Sequence, residues 1–315
     1  MNIHTRSLAC KRIGAATVLC VSLLTVTWAR AGDAAPDRAT DMRPFSLMVL
    51  PDTQVYSEQF PDVFFQQTQW VKDNCASNNC KFVIHEGDVV QTGPNEDQWK
   101  VADKAMSTLD GVVPYCFSPG NHDLPAKLFN TYFPVSRFER QPGFGGHYAK
   151  SNDNTYHFFS AAGLKFMIVA LTFNPNELVY QWANDRVAEH PGCRVIVAVH
   201  SFDNNGAGLT PEGQRTWDNF AKKHKNIFLI LSGHLSVGRQ ILTGDQGNTV
   251  YSVLADYQGL DNGGDGWLRI LTFVPGEDVI RVTTYSTRLK KHFGPGDGRY
   301  STPEMNAFDL PHKMK

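Results

Sequence analysis

Five short apolar runs, each ending at once in a polar cluster, constrain this chain more than any other feature. The run at 45–50 leads to Asp52 and Gln54, and that at 81–84 to His85-Glu86-Gly87-Asp88. The run at 112–117 leads to Gly120-Asn121-His122-Asp123, that at 194–199 to His200, and that at 227–231 to Gly233-His234. Helical patterns fill the intervals at 62–74, 97–109, 176–189 and 211–223. Short apolar runs alternating with helices predict an α/β fold. Residues 155–160 and 164–171 flank Ala161-Ala162-Gly163 as a hairpin, and 248–254, 267–274 and 279–285 alternate like antiparallel strands. The stretch 124–154 reads as loop. No internal repeat is visible, so a single domain is expected over 44–290, between a small, polar, flexible lead at 32–43 and a Gly-, Pro- and Lys-rich tail at 291–315.

Residues 1–31 read as a signal peptide. Arg6, Lys11 and Arg12 form a basic start, 13–28 is apolar, and Ala29-Arg30-Ala31 is the small-x-small pattern cut by signal peptidase. The apolar stretch falls short of the roughly 20 residues that span a bilayer. A periplasmic or secreted protein with no stable membrane insertion is expected; an uncleaved N-terminal anchor is the alternative. Cys20 follows Leu19 rather than a small residue, which argues against a lipoprotein. The whole chain carries 30 basic and 31 acidic residues. Cleavage removes Arg6, Lys11, Arg12 and Arg30 and no acid, leaving a net negative chain without a basic cluster to follow a phosphate backbone. Long nucleic acid is therefore not an expected partner, whereas that charge is compatible with a small phosphate ester held by metal ions.

Cys75, Cys80, Cys116 and Cys193 remain, an even number in an oxidising compartment. Cys75 and Cys80 flank Ser77-Asn78-Asn79, and a local disulfide is the preferred pairing. For Cys116 and Cys193 the spacing does not decide between pairing and burial. A C-x-x-C zinc or redox motif is absent.

Open α/β sheets bind ligands at the carboxyl ends of their strands. Carboxylate, amide and imidazole gathered there form a donor set for divalent first-row ions. A glycine before Asp88 and before His234 lets the backbone turn sharply where a side chain must aim inward. Singly, each motif has an ordinary explanation as a turn or a core histidine. In order, each after an apolar run, they predict one shared metal site. No G-x-S-x-G elbow and no Gly-rich nucleotide loop accompanies them.

These motifs resemble those of the calcineurin-like metallophosphoesterase superfamily: D-x-H, G-D, G-N-H-D or G-N-H-E, a strand-ending His, then G-H-x-H. The resemblance runs from about Phe45 to Tyr285. Residues 256–258 and 265–269 also resemble a secreted bacterial subset. The resemblance implies a four-layer αββα sandwich of two mixed β-sheets flanked by helices, with a two-metal centre. Asp88 would bridge the ions, Asn121, His200 and His234 would complete one site, and Asp52 would belong to the other. His122 would face the substrate, stabilising developing charge or protonating the leaving oxygen, with Asp123 orienting its imidazole. The implied reaction is hydrolysis of a phosphate monoester or diester by metal-bound hydroxide. Purple acid phosphatases carry a Tyr three residues after the bridging Asp; Gln91 stands there, which speaks against that subtype.

Two departures fall on one metal. Gln54 stands where the family has its first His, and Ser236 where G-H-x-H has its second. The Asp52 side is left with carboxylates, the Gln54 amide oxygen and water, donors that suit Mn²⁺, Mg²⁺ or Ca²⁺ better than Zn²⁺. One tight and one labile divalent ion are expected, with Mn²⁺ favoured over Fe, Zn²⁺ or Ca²⁺ and activity rising on added Mn²⁺. The rival reading is a catalytically silent extracytoplasmic binding protein that retains one metal site. His85, His147 and Gly263-Gly264-Asp265-Gly266 are further candidates near the site, each with a packing or turn alternative. Oligomeric state is not legible.

Overall fold

The computed structural model describes residues 42–298 and 301–314. The expected signal peptide and residues 32–41 of the expected lead lie outside them. The chain begins with β1 (Phe45–Leu50), α1 (Gln54–Glu58), α2 (Pro61–Asn74), β2 (Cys80–His85), α3 (Glu96–Met106) and β3 (Tyr115–Phe117). Two short helices, α4 (Lys127–Tyr132) and α5 (Val135–Phe138), precede β4 (Phe144–His147), β5 (Thr155–Ala161) and β6 (Leu164–Leu171). Next come α6 (Glu177–Ala188), β7 (Arg194–Val199), α7 (Pro211–Asn219), β8 (Ile227–Ser232), β9 (Val237–Thr243) and β10 (Thr249–Ala255). The last elements are β11 (Trp267–Val274), β12 (Val279–Ser286), β13 (Lys291–His292), α8 (Pro303–Asn306) and β14 (Phe308–Pro311).

The helices start where side chains satisfy their first amides. Asn95 accepts from Asp97 N before α3, Asn176 from Val179 N before α6, and Thr210 from Gly213 N before α7. Pro61 and Pro211 occupy first-turn positions where no N–H is needed.

The strands form two seven-stranded mixed sheets. The first runs β13-β12-β11-β1-β2-β3, with β14 also on β12; the second runs β4-β5-β6-β7-β8-β10-β9. β1, β2 and β3 are parallel, as are β6, β7, β8 and β10. Alternation along β1 shows the layering. Leu47 and Val49 meet Phe159, Ile168 and Ile196 of the second sheet, whereas Met48 and Leu50 meet Phe64 and Trp99 of the helices. On the far side, Val195, Val197 and Val199 of β7 pack on Val179, Tyr180 and Ala183 of α6. These central strands read as unbroken apolar runs because both of their faces are covered. The fold is the expected αββα sandwich.

Several expectations need correction. Pro114 and Val113 stay outside β3, and Val112, 41% exposed, closes a turn onto Leu109 O. The loop-rich stretch 124–154 also holds the short elements α4, α5 and β4. The unexpected β9 is an edge strand, whose Ile241 is 72% exposed. The tail expected over 291–315 contributes β13, α8 and β14, and β14 pairs with β12 while burying Leu310. The expected Cys75–Cys80 disulfide is not formed. Both are free thiols, the Cys75 thiol directed at Cys80 O (3.7 Å) and the Cys80 thiol at Phe82 O (3.4 Å). The backbone bond from Cys80 N to Cys75 O (2.9 Å) closes this loop without a covalent link. Cys116 and Cys193 are buried thiols.

Candidate metal centre

The parallel order brings the tips of β1, β2, β3, β7, β8 and β10 to one end of the sandwich. Asp88, His200 and His234 each place a ligand atom within 4.8 Å of the other two. Asn121 joins them: its Oδ1 lies 3.1 Å from His200 Nε2, and Asp88 Oδ2 lies 3.2 Å from the same nitrogen. His200 Nδ1 lies 2.9 Å from the Glu86 carbonyl, which can only accept, so Nδ1 carries the hydrogen. In the neutral ring Nε2 then presents a lone pair to two oxygen acceptors. That arrangement calls for positive charge between them, either a proton or a cation. Burial pulls the His200 pKa down, but the Asp88 carboxylate outweighs it and the net shift is upward. For His234, burial and then His200 lower the pKa, which favours the neutral, ligand-ready ring.

The backbone here is strained in the way functional sites tolerate. Asp88 and His234 both adopt left-handed conformations, at φ 45° and φ 76°. The ligand residues themselves take the turn, alongside Gly87 at φ 101°. The glycine before His234 serves another need. A Cβ on Gly233 would stand 2.0 Å from Asp52 Oδ1, so the absence of a side chain lets that carboxylate pass.

Asp123 and His122 part company. Asp123 Oδ1 accepts from Val89 N (2.8 Å) and Val90 N (3.1 Å), and Oδ2 from Gly120 N (2.8 Å). It therefore ties the β2 loop to the β3 loop and does not hold the His122 ring, correcting the expected role. Burial, then Asp88, pushes its pKa up to about 7. The ring is held by the Gln91 carbonyl, 2.7 Å from Nδ1. His122 thus keeps Nε2 free, to accept when neutral and donate when protonated, while its backbone N–H binds Asp88 Oδ1 (2.9 Å).

Asp52 follows β1, and its neighbour Thr53 N donates to Asp88 O (3.1 Å). Both Asp52 oxygens accept from His234 N, at 3.3 and 3.1 Å. Burial and then Asp256, Asp88 and Glu86 push its carboxyl well above the usual range. Gln54 opens α1 and is buried, with Oε1 lacking a hydrogen-bond partner among the described residues; both Glu86 oxygens share that condition. Orphaned buried oxygens beside a three-donor cluster fit divalent ions. Asp52, Asp88, Asn121, His200 and His234 are the residues that would hold them.

The remaining candidates resolve differently. His85 is fully buried, its Nε2 3.0 Å from Thr53 Oγ1 and its Nδ1 accepting from Gly87 N. It braces the tips of β1 and β2, and burial drives its pKa down to about 3. His147 ends β4, opposite Thr155 at an outer strand of the second sheet, and is not among the converging ligands. Gly263 to Gly266 packs on α1, with Gly266 N donating to Tyr56 Oη (3.0 Å), and joins β10 to β11 of the other sheet rather than closing a hairpin. The sequence reading missed Phe173, whose ring stands 6.0 Å from that of His200 and 5.8 Å from that of His234. It also passed over Glu86; an acid just before Gly-Asp was the available signal.

Carboxylate, amide and imidazole donors thus gather at converging strand tips between two mixed sheets. The model of the calcineurin-like phosphoesterase family matches residues 45–238, and the chain belongs to that family. YvnB, an uncharacterised protein of Bacillus subtilis (strain 168), is 34% identical over 292 residues, covering 88% of this chain and 22% of YvnB. Purple acid phosphatase PPD1 from yellow lupin (Lupinus luteus) seeds shares the fold, with a TM-score of 0.54 at 11% identity, over 86% of this chain and 54% of that one. The chain thus spans a minor part of YvnB and about half of the lupin phosphatase. GAP50 of Plasmodium aligns at a TM-score of 0.49 and 9% identity, over 86% of this chain and 89% of that one. Among the described residues, no helix is long and apolar enough to cross a membrane.

Proposed function

We propose that this protein hydrolyses a small phosphate monoester or diester outside the cytoplasm. The observation that carries the reading is the convergence of Asp88, Asn121, His200 and His234 with His122 left free beside them. Divalent ions bound there supply an acidified water and screen the phosphoryl oxygens. Asp88 lies between the two halves of the centre, Asn121 and His200 share one donor cluster, and Asp123 holds the two loops in register. His122 Nε2 gives a proton to the leaving oxygen or steadies its charge, with Gln91 O fixing the ring. The basic, apolar and small-residue pattern of 1–31 supports export. One tight ion on the Asp88 side and one weaker ion on the Asp52 side, with Mn²⁺ as the activating metal, complete the reading.

Gln54 and Ser236 favour a second reading, a binding protein without turnover. Both readings meet one test: assay of the purified protein against p-nitrophenyl phosphate and its bis-ester, with Mn²⁺, Zn²⁺ or Ca²⁺ added in turn and His122→Ala as control. Turnover that rises with Mn²⁺ and falls in the variant supports the hydrolase. Metal binding without turnover of either ester supports the binder.

A further inference from the structure

Beside the ligand cluster lies a cavity of about 260 Å³, and His234 lines it as well as belonging to the cluster. Its walls come from two turns of chain: Leu235, Ser236 and Val237 where β8 passes into β9, and Tyr257, Gln258 and Leu260 between β10 and β11. A bond from Asp256 N to Ser236 O (2.6 Å) clips the two together. Leu235, Val237, Leu260 and the Tyr257 ring present carbon. The Tyr257 hydroxyl is spent elsewhere, on Thr284 Oγ1 (3.1 Å), Asn306 Oδ1 (2.8 Å) and the Nε–H of Arg269 (3.2 Å). Trp267 and Phe293 back its ring, with centroids 6.5 and 6.2 Å away. The Gln258 amide is occupied too, donating to Asp256 Oδ2 (2.8 Å). No Lys or Arg is among the described lining residues, whereas the Asp256 carboxylate is. Such a lining suits a neutral, largely apolar group and repels a second anion. Size agrees: a cavity of roughly 150 Å³ takes up benzene, so a single ring or a short branched chain has room here.

Strand order sets the cavity and His122 on different flanks of the centre. His200, His234 and Asp256 follow β7, β8 and β10, which are consecutive in the second sheet. His200 meets Asn121 at one end of that row, and the cavity begins at His234 and extends toward the other end. His122 belongs to the Asn121 end. It is the next residue, its ring held by Gln91 O and its N–H by Asp88.

We infer that this cavity receives the organic group that a phosphodiester keeps, so that the protein cleaves diesters with a compact neutral substituent in preference to monoesters. The inference rests on the hydrolase reading and chooses between its two substrate classes. A group that departs past His122 leaves the cavity empty, so an occupant there is a second substituent on phosphorus. Water adds its oxygen to phosphorus and gives a proton to solvent. The P–O bond facing His122 breaks, and the departing oxygen takes the proton of His122 Nε2. The P–O–C linkage into the cavity stays intact, and a monoester is released.

Steady-state kinetics with Mn²⁺ compare bis-p-nitrophenyl phosphate with p-nitrophenyl phosphate. The wild type should favour the diester in kcat/KM by about tenfold or more. Ser236→Phe, which puts a ring into the cavity, should lower that preference by about tenfold. Should the variant fail to fold by circular dichroism, Leu260→Trp fills the cavity from the other wall. A wild type that favours the monoester overturns the inference, as does a filled cavity that slows both esters equally. Binding reads the cavity without turnover. Methylphenylphosphinate and dimethylphosphinate carry the same charge and no ester bond, and differ by one ring. By calorimetry with Mn²⁺ present, the ring should strengthen wild-type binding by about tenfold, and the filled cavity should lose that gain. No gain from the ring overturns the inference even where esters turn over. A gain without turnover of either ester sinks the hydrolase and leaves the cavity as the seat of a neutral group on a bound phosphoryl ligand.

Discussion

The two halves of the centre share Asp88 and the same end of the sandwich, yet they are built from different donors. The Asp88–Asn121–His200–His234 half mixes imidazole, amide and carboxylate, and its ligand atoms already lie close together. Asp52, Glu86, Asp256 and the Gln54 side chain are buried oxygen donors, but their atoms do not converge as those of Asp88, His200 and His234 do. The first half is held by short bonds to fixed backbone groups, as with His200 Nδ1 on Glu86 O. Gln54 Oε1 and both Glu86 oxygens, by contrast, have no hydrogen-bond partner among the described residues. On the two-ion reading proposed above, a nitrogen-bearing half would bind tightly across metals, whereas an oxygen half would discriminate by hardness.

The largest test of that division is His122→Ala. It should lower kcat/KM about 10²–10⁴-fold while leaving both cation affinities unchanged, because His122 lies outside both donor sets; equal loss of metal would place its ring among the ligands. Next, Asp123→Asn removes one acceptor from the bonds joining Val89, Val90 and Gly120. Affinity for the ion on the Asp88 side should fall about 10- to 100-fold, with less change on the Asp52 side, as read by calorimetry. Loss confined to the Asp52 side would show that the comparison has been drawn in the wrong place.

Gln54→His restores an imidazole to the oxygen half and should tighten its Zn²⁺ binding by about tenfold, shrinking the contrast between halves. Unchanged stoichiometry and affinity would count against assigning Gln54 there. The smallest effect lies outside both halves and serves as their control. Burial holds His157 neutral down to a pKa of about 3, whereas the unfolded chain protonates near 6.5. The stability this contributes is full above pH 6.5 and is lost as pH falls toward 3. At pH 6 the loss amounts to about 1 kcal/mol, and His157→Gln should remove it from urea-unfolding curves without altering metal binding.

Much of the frame could be read directly. β7 is bounded where its apolar run is, since a strand buried on both faces leaves a continuous signature. β9 and β14 could not be read, because edge strands are half exposed and gain definition from the neighbour they pair with. In the centre, Asp52, Asp88, Asn121, His200 and His234 were legible as strand-tip residues. Asp123 misled, since the resemblance implied that it orients His122, whereas its oxygens accept from Val89, Val90 and Gly120 N.

The sequence by itself determined the α/β frame, the donors on the Asp88 half and the loss of imidazoles at Gln54 and Ser236, because these are written in local runs and short motifs. Tertiary structure alone decided that Gln91 rather than Asp123 steadies His122, and that Asp256 and Glu86 crowd the Asp52 half. Those contacts join residues from separate strands, and what a carboxylate does depends on how deeply it is buried and which charges it meets, quantities that spacing along a chain does not encode.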